Sequence, residues 1–436
     1  MLGSALSCQC VLTPCQGVTV TANDRFFQTK QAAAVLKHGI LARYPTVFTT
    51  MTSVGRVDGR VVYLDGYAGP GRYEPEGDAA EGEPGSPLIA IRTAETVKTW
   101  KRTLHCVFVE RNRTYADNLR TVLAEDAGPG LSYEVLDGDV QGHVDHVLSV
   151  AGSSPLFAFL DPFGTALPYA ELRHTLLGRD TRLITEVLLN FNVHMVGRIG
   201  GYLTGDEEDE ETTGGRSATL ARMDAFLGGP WWQDEFRNAR LSNDEGSAAR
   251  AAMHIVEQFR RKVHDDTGFQ SFAVPIRRRP HHNPLFVMLL FYRHAAAPYM
   301  FNESVSKANE EWRHHQHNIE TAELLESLND EQPNLFDVDD EGYTARYLEE
   351  RVDKAERKLE EEWITLIAEN IRHHVKSGPL PVEARLTDIH GTTLGLARPM
   401  HLTRAWDRLA EEGVVERRLP DKKLRMRRQT IYPVSR

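Results

Sequence analysis

The first half of the chain alternates between short apolar runs and longer stretches with helical spacing. The runs are rich in β-branched and aromatic residues, which is typical of buried strands. They lie at Val61–Leu64, Leu104–Val109, Leu131–Leu136, Pro155–Leu160 and Leu183–Phe191. Helical stretches lie between them, as at Arg113–Leu123. Strands that alternate with helices predict an α/β fold with a doubly wound, mostly parallel sheet.

The same patterns continue on both sides of this region. A helix is predicted at Asn23–Tyr44, and a second one starts at Ser86, with Pro87 in its first turn. Later elements are a helix at Ala248–Val263 and strands at Gln270–Pro275 and Pro284–Tyr292. We therefore predict a disordered tail over residues 1–22 and an α/β domain over residues 23–325.

The chain changes character after the α/β region. The acidic, turn-prone stretch Glu326–Glu341 predicts a linker over residues 326–342, before a second domain at 343–436. A charged helix at Tyr343–His374 carries an apolar stripe that can pack against the core or against a second subunit, so a homodimer is possible. The stripe consists of Leu348, Val352, Leu359, Trp363, Ile367 and Ile371.

The last segment has the pattern of a winged helix. Helices are predicted at Val382–Ile389 and His401–Gly413, followed by a hairpin of Val414–Arg418 and Leu424–Pro433. Basic residues crowd this hairpin: Arg417, Arg418, Lys422, Lys423, Arg425, Arg427 and Arg428. Clustered positive charge beside such a helix predicts contact with nucleic acid phosphates, and protein recognition is the alternative.

Composition narrows the class of protein. The 436 residues carry 41% hydrophobic and 26% charged residues, as in ordinary globular proteins. No apolar run reaches the length of a membrane span, and the first residues do not resemble a signal peptide, so we expect a cytoplasmic protein without a membrane partner. The net charge of −11 argues against a uniformly basic nucleic-acid binder but not against local patches.

Neither cysteines nor histidines have the spacing of a metal site. Three of the four cysteines, Cys8, Cys10 and Cys15, lie in the predicted tail, and the fourth lies in a predicted strand. His281–His282 and the cluster at 314–317 lack partners at standard metal-ligand spacings, so we expect exposed histidines and no metal.

Candidate chemistry lies where the predicted strands end. Asp65 ends the first strand and is followed by Gly66, Gly69 and Gly71, a turn that lets the backbone approach a small molecule. The turn lacks the spacing of a phosphate-binding loop, which favours a nucleoside-type ligand such as S-adenosylmethionine. Simple chain reversal is the alternative.

Three further strands also end near acids. Glu110 is suited to accept hydrogen bonds from ribose hydroxyls, and Asp139 from an adenine amino group. The fourth strand leads into Asp161-Pro162-Phe163, where the aromatic ring can stack on a base. Acids at four successive strand ends form a more specific pattern than any one of them.

Basic residues also lie between the last two predicted strands. Arg277, Arg278 and Arg279 form a triplet there. They can contact a phosphate backbone, or they can be ordinary surface charges in an acidic protein.

These motifs resemble those of class I S-adenosylmethionine-dependent methyltransferases. More narrowly, they resemble the three-Cys-motif partner protein (TcmP) family over roughly residues 25–320, with a weaker match through the C-terminal domain. The matching segments are Lys37-His38, LDGYAGPGRY at 64–73, GSP at 85–87, FVE at 108–110 and FLDPFG at 159–164. The family's name implies a genomically neighbouring protein with three cysteines as a possible partner.

The ribosomal-RNA adenine-N6 methyltransferases have a similar Lys-His helix, D-x-x-A-G-x-G turn and G-S-P, with Asp-Pro-Pro-Tyr after the fourth strand. The resemblance implies a Rossmann-like methyltransferase fold in which Asp161 and the carbonyl of Pro162 accept hydrogen bonds from a target amine. Phe163 departs from that motif by one position, which leaves the target base open. The implied cofactor-binding residues are Lys37, His38, Asp65, Gly66, Gly69, Gly71, Glu110 and Asp139.

The sequence thus leads to two hypotheses. The first is a methyltransferase that acts on an amine of a nucleic acid base, where holding nitrogen and methyl in line supplies most of the acceleration. The second is a nucleic-acid-binding partner subunit that keeps the fold without the chemistry.

Overall fold

A central sheet of seven strands organises the molecule. The computed structural model describes residues 32–55, 59–73, 82–165, 167–203, 210–240, 246–331, 338–419 and 425–434. The strands are β1 (Arg60–Asp65), β2 (Thr103–Glu110), β3 (Ser132–Asp137), β4 (Leu156–Leu160), β5 (Thr185–Asn192), β6 (Gln270–Ile276) and β7 (Phe286–Tyr292). Their order is β3-β2-β1-β4-β5-β7-β6, and β7 runs antiparallel to the other six strands. The prediction of an α/β fold with a mostly parallel sheet is confirmed.

Helices cover both faces of this sheet. They are α1 (Ala32–Leu41), α2 (Tyr44–Thr52), α3 (Ser86–Thr99), α4 (Arg113–Asp126), α5 (Val140–Ala151), α6 (Tyr169–His174), α7 (Val193–Gly200), α8 (Glu210–Leu227), α9 (Trp231–Ala239), α10 (Ser247–Thr267), α11 (Ala296–Glu331), α12 (Val338–His374), α13 (Leu386–His390) and α14 (Pro399–Glu411). Helices α1 to α4 and α11 pack on one face, and α5 to α10 pack on the other.

Successive side chains of each strand point to opposite faces of the sheet and so contribute to the apolar layers on both faces. In β1, Val62 and Leu64 belong to the layer under α5, while Val61 and Tyr63 belong to the layer under α1 to α3. All four side chains are at most 1% exposed, because a parallel sheet covered on both faces buries every position. This burial explains why the strands read as continuous apolar runs in the sequence.

The strand order reverses between β1 and β4, which are direct neighbours. The chain winds from β1 outward through β2 and β3, then returns to β4 on the other side of β1. In open α/β sheets, ligands bind beyond the carboxyl ends of the strands at such a reversal. We call the edge where the parallel strands end the carboxyl edge, and the opposite one the amino edge.

The helix predicted at Asn23–Tyr44 is wrong at its end. Helix α1 stops at Leu41, and α2 begins at Tyr44 with Pro45 in its first turn. Proline has no N–H and clashes with the preceding turn, so the chain starts a new helix there. Residues 23–31 and the predicted tail over 1–22 lie outside the described residues.

The stretch predicted as a linker is largely helical where the structure describes it. Helix α11 extends to Glu331 and α12 begins at Val338, and residues 332–337 lie outside the described part of the chain. The C-terminal part of the apolar stripe of α12 packs within the chain, since Trp363, Ile367 and Ile371 share a core with α14.

Helix α11 joins this C-terminal region to the sheet domain. The side-chain amide of Asn302 donates to the carbonyl of Ala397 at 3.0 Å, and its oxygen accepts from Gly395 N–H at 2.6 Å. Arg313 of α11 forms a two-bond ion pair with Glu356 of α12, at 2.8 and 2.9 Å. Buried side-chain bonds to the backbone therefore hold the two parts together.

The predicted winged-helix hairpin forms only in part. Strand β9 (Thr430–Ile431) pairs with β8 (Leu380–Pro381), and Val415 meets Pro433 in an isolated bridge. The C-terminal strand of the predicted hairpin pairs instead with the segment that follows α12. Glu383 N–H, for example, donates to Arg427 O at 3.1 Å. The helix predicted at Val382–Ile389 is limited to α13, whereas α14 occupies most of the predicted His401–Gly413 helix.

Candidate functional site

A cluster of polar side chains lies at the carboxyl edge, beside β4. Asp161 follows β4 directly, and Lys37 of α1 places its Nζ 2.6 Å from Asp161 Oδ2. Asn190 of β5 donates from Nδ2 to Asp161 Oδ1, also at 2.6 Å. The register that pairs Leu160 with Leu189 puts Asn190 next to Asp161. Both oxygens of this carboxylate are therefore held by the protein.

Lys37 is a buried cation, only 7% exposed. Burial works against its charged form, but the carboxylate of Asp161 and the more distant Tyr73 and Asp65 outweigh that effect and raise the pKa of Lys37. A buried ion pair of this kind is strongly destabilised when one partner is removed. Lys37 and Asp161 thus act as one unit.

Asp65 ends β1 and is fully buried. Its Oδ1 accepts from Tyr67 N–H at 3.3 Å. Burial raises the pKa of Asp65 to about 7, against the lowering effects of the nearby Ser86 hydroxyl and the Tyr67 N–H. Its Oδ2 is buried and has no hydrogen-bond partner among the described residues. A buried acceptor of this kind is costly unless a ligand or water completes it.

The glycine turn after Asp65 is shaped by backbone requirements. Gly69 and Gly71 have φ values of 69° and 96°, a region that side chains strongly disfavour. Gly85 N–H donates to Gly71 O at 2.8 Å and closes the turn against the start of α3. Gly66 packs so tightly that a Cβ there would lie 2.8 Å from Leu160 Cδ2. The turn thus presents backbone rather than side chains at the carboxyl edge.

Glu110, at the end of β2, fixes this turn. Its Oε2 accepts from Gly69 N–H at 2.8 Å, and its Oε1 accepts from Asn112 N–H at 2.7 Å. A carboxylate has about four acceptor positions, so two remain for a ligand. The predicted ribose acceptor therefore also has a structural task, which the sequence did not indicate.

Asp139 is less enclosed than the other acids. It occupies the N-cap position of α5 without a side-chain capping bond, and its side chain is 69% exposed, 3.8 Å from Arg111 Nε. Asp139 also contributes to raising the pKa of Tyr67, after the larger effect of burial. The structure thus leaves Asp139 an open acceptor beside the glycine turn.

The residues after Asp161 and the pair on α1 complete the edge. Pro162 is buried, whereas Phe163 is 52% exposed, an unusual position for a large apolar ring. His38 is 5% exposed, and its Nε2 lies 3.3 Å from the hydroxyl of Tyr73. Lys37 and His38 therefore reach Asp161 and the end of the glycine turn, respectively.

Two members of this cluster were missed at the level of the sequence. Asn190 is 2% exposed and interrupts the apolar strand VLLNF at 187–191, which was its only signal. Tyr73 is the last residue of the motif LDGYAGPGRY, but no feature of the neighbouring sequence predicts its contact with His38. A polar residue inside a buried strand requires a partner, and only the fold identifies that partner.

The arginine triplet lies at the carboxyl edge, after β6. Strand β7 starts at Phe286 opposite Asn192, the last residue of β5, so the β6–β7 connection reaches the same edge as Asp161. Arg278 O accepts from Gln316 at 2.8 Å, and Arg279 pairs with Glu323 at 2.5 Å. Burial lowers the pKa of Arg277. The triplet is thus partly engaged with α11.

The C-terminal basic residues divide into two groups. Arg427 is 6% exposed and pairs with Glu383 at 2.9 Å, and Arg418 pairs through two bonds with Asp407. Their prediction as phosphate contacts does not fit these structural roles. Arg417, Arg425 and Arg428 are exposed, and Lys422 and Lys423 lie outside the described residues.

Arg425, a member of the exposed group, lies near the amino edge, away from Asp161. Arg425 Nη1 is 3.8 Å from the sulfur of Met51 in α2. The carbonyl of Ser53, at the end of α2, accepts from Arg102, the residue before β2. Arg425 and the carboxyl edge therefore lie at opposite ends of the parallel strands, and a six-residue strand spans ~20 Å.

Two absences concern only the described part of the chain. Within it, no group of three or more histidine, cysteine or acidic residues is arranged to hold a metal ion. Within it also, no helix is both long and apolar enough to cross a membrane. Cys106 is free and buried in β2.

Comparison with known proteins adds no family to this description. No protein-family model matches the chain, and no curated protein matches it significantly.

Proposed function

We propose that the protein is an S-adenosylmethionine-dependent methyltransferase that acts on an amine of a nucleic acid base. The observation that carries the proposal is the set of acids around the strand reversal. Asp65, Glu110 and Asp161 lie at the carboxyl ends of β1, β2 and β4, three adjacent strands. Ligands of α/β sheets bind at this place. The likeness to the TcmP family and to class I methyltransferases rests on the same residues.

The residues present fit the cofactor. The buried Oδ2 of Asp65 can accept from the amino group of its methionine part, and the turn of Gly69 and Gly71 leaves room for close approach. The two remaining acceptor positions of Glu110 suit ribose hydroxyls, and Asp139 is open to an adenine amino group. When bound, S-adenosylmethionine supplies a methyl group activated by its sulfonium.

Asp161 is the group that would bind the target amine. It accepts from the N–H of the amine and orients the nitrogen lone pair toward the methyl donor. Lys37 and Asn190 hold the carboxylate in place, and the exposed ring of Phe163 can stack on the base. After transfer, the alkylated amine loses one proton, which Asp161 or water can take. The Pro162 carbonyl is the second acceptor that the motif implies.

Nucleic acid is the proposed substrate class because basic residues flank this edge. Arg277 to Arg279 follow β6 at the side where Phe163 is exposed. Arg425, near the amino edge, and the exposed Arg417 and Arg428 of the same C-terminal segment would contact a more distant part of the same polyanion.

A second candidate is a non-catalytic, nucleic-acid-binding partner subunit that keeps the methyltransferase fold. The observation that favours it is the ion pair of Lys37 with Asp161, because a buried ammonium already compensates the charge of this carboxylate and makes it a weaker acceptor for a target amine.

Replacing Glu110 by Ala is expected to weaken S-adenosylmethionine binding by tenfold or more, since hydrogen bonds to a charged group contribute ~1.5–3 kcal/mol. The loss of the Gly69 contact adds to this effect by loosening the turn. Titration calorimetry on the folded variant measures it, with Glu110→Gln as the matched control that keeps one acceptor oxygen. An unchanged affinity in Glu110→Ala would contradict the cofactor site.

Replacing Arg417, Arg425 and Arg428 together by Ala is expected to flatten the salt dependence of nucleic acid binding, by roughly 0.7–0.9 units of slope per lost phosphate contact. The buried Arg427 serves as the contrast: Arg427→Ala removes the partner of Glu383 and is expected to lower stability rather than the slope. Filter binding at several salt concentrations and thermal melts separate the two effects. If the triple variant keeps the parental slope, this surface does not bind phosphate.

A further inference from the structure

We infer that Asn190 is a positioning residue, which fixes the carboxylate of Asp161 for the target amine. The inference rests on the proposed methyl transfer at Asp161. It assigns a function to a side chain that no motif in the sequence includes.

The first argument is geometric. Asn190 and Lys37 donate to different oxygens of Asp161, each at 2.6 Å, so they hold the carboxylate from two sides. The two donors differ in rigidity. Lys37 ends a flexible four-carbon stem, whereas the short side chain of Asn190 is 2% exposed within β5. With a target amine bound, Asn190 is the more rigid of the two donors and keeps the plane of the carboxylate.

The second argument is the burial of Asn190. It belongs to a strand whose neighbouring side chains, Leu188 and Leu189, are fully buried and apolar, and it pairs across the sheet with the buried Met288. Its own Oδ1 is buried without a hydrogen-bond partner among the described residues. The unpaired oxygen carries a desolvation cost that an apolar residue at this position would not have. A buried polar residue with such a cost is typical of a functional site.

The third argument concerns what remains free on Asp161. Asn190 and Lys37 use one acceptor position on each oxygen, and an ionised carboxylate has about four. The carboxylate can therefore accept from an amine N–H without losing its contact with Asn190. Its side chain is 18% exposed, so a ligand can reach it from the carboxyl edge.

Asn190→Leu tests the inference in the full-length protein. We expect kcat to fall roughly tenfold, the effect of one lost hydrogen bond. We expect KM and the affinity for S-adenosylmethionine to stay within twofold, and Tm to be equal or higher. A structural Asn190 predicts the reverse, a lower Tm with kcat maintained in the folded fraction. Parental kcat in the folded variant, or a clear fall in Tm, would overturn the inference.

Asn190→Asp supplies a second readout. It places a second carboxyl group beside Asp161, and two neighbouring carboxyl groups hold a proton between them. We expect the acidic limb of the pH–rate profile to move to higher pH, which loss of packing alone would not cause. An unmoved profile would count against the inference.

The two proposals fail in different ways. If the parent protein binds no S-adenosylmethionine, or binds it and methylates neither DNA nor RNA, the proposed function is overturned. The inference then fails with it. If the parent protein is active and Asn190→Leu keeps the parental kcat or loses Tm, the inference alone is overturned and the proposed function stands.

Discussion

Asp161→Asn is expected to lower the rate of methyl transfer by about 10²-fold while the affinity for S-adenosylmethionine stays almost unchanged. The magnitude is that of losing one transition-state interaction. Asparagine has a single acceptor oxygen and presents donors to an amine that also donates. A role in capping or in a turn predicts little change instead, because Asn caps a helix as well as Asp does.

The ion pair with Lys37 makes a control necessary. Asp161→Asn removes the carboxylate 2.6 Å from a buried ammonium, and breaking such a pair destabilises a protein by ~3–5 kcal/mol. The double variant Lys37→Met with Asp161→Asn removes both charges, so we expect it to regain stability without regaining activity. Thermal melts and single-turnover kinetics on the same preparations distinguish a folding defect from a catalytic one.

The outcome that contradicts this role is simple to recognise. If Asp161→Asn transfers methyl groups at the parental rate on any substrate of the parent, the DPFG segment is scaffold. If the parent itself methylates neither nucleic acid nor a partner protein, the binding-subunit hypothesis is favoured.

Glu186→Gln is expected to stabilise the protein at alkaline pH and to have little effect near pH 4.5. Glu186 of β5 is 5% exposed, and Tyr44 of α2 donates to its Oε2 at 2.7 Å. Burial raises the pKa of Glu186 from 4.5 to about 8, although the hydrogen bond from Tyr44 opposes the shift. The carboxyl is thus protonated in the folded protein at neutral pH but ionised in the unfolded chain.

The sign of the pH effect follows from proton binding. Between pH 4.5 and about 8 the folded state holds one proton more than the unfolded state, so the free energy of unfolding falls as pH rises. The slope is ~1.4 kcal/mol per pH unit, and the loss reaches a few kcal/mol, roughly, by pH 8. Glutamine is neutral throughout and accepts from Tyr44 through its carbonyl oxygen, so its variant lacks this slope.

Urea unfolding at several pH values measures the difference. Glu125→Gln, at an exposed position of α4, controls for the change in net charge. Parallel pH curves for the parent and Glu186→Gln would mean that Glu186 does not carry its proton into the folded state at neutral pH.

The amino-acid sequence alone determined the layout of the sheet domain and the acidic residues at its carboxyl edge. Apolar runs such as Val61–Leu64 predict buried strands because a covered parallel sheet needs apolar side chains on both faces. Acids that follow such runs lie at the carboxyl edge by topology, so Asp65, Glu110 and Asp161 could be grouped without coordinates. Local patterns were less informative after α11, where helices replace much of the predicted linker and the hairpin forms only in part.

The tertiary structure alone decided which of these side chains meet. Lys37 and Asp161 are 124 residues apart, and Asn190 is a further 29 residues along the chain. No local period relates them, because their contact depends on how α1 crosses the sheet and on the register of β4 with β5. The same holds for Arg427, which the charge pattern groups with surface cations and the fold buries against Glu383. The periodicity of a strand shows which of its faces is buried. Which buried polar groups pair depends on contacts between residues that are far apart in the sequence, so no local pattern reveals it.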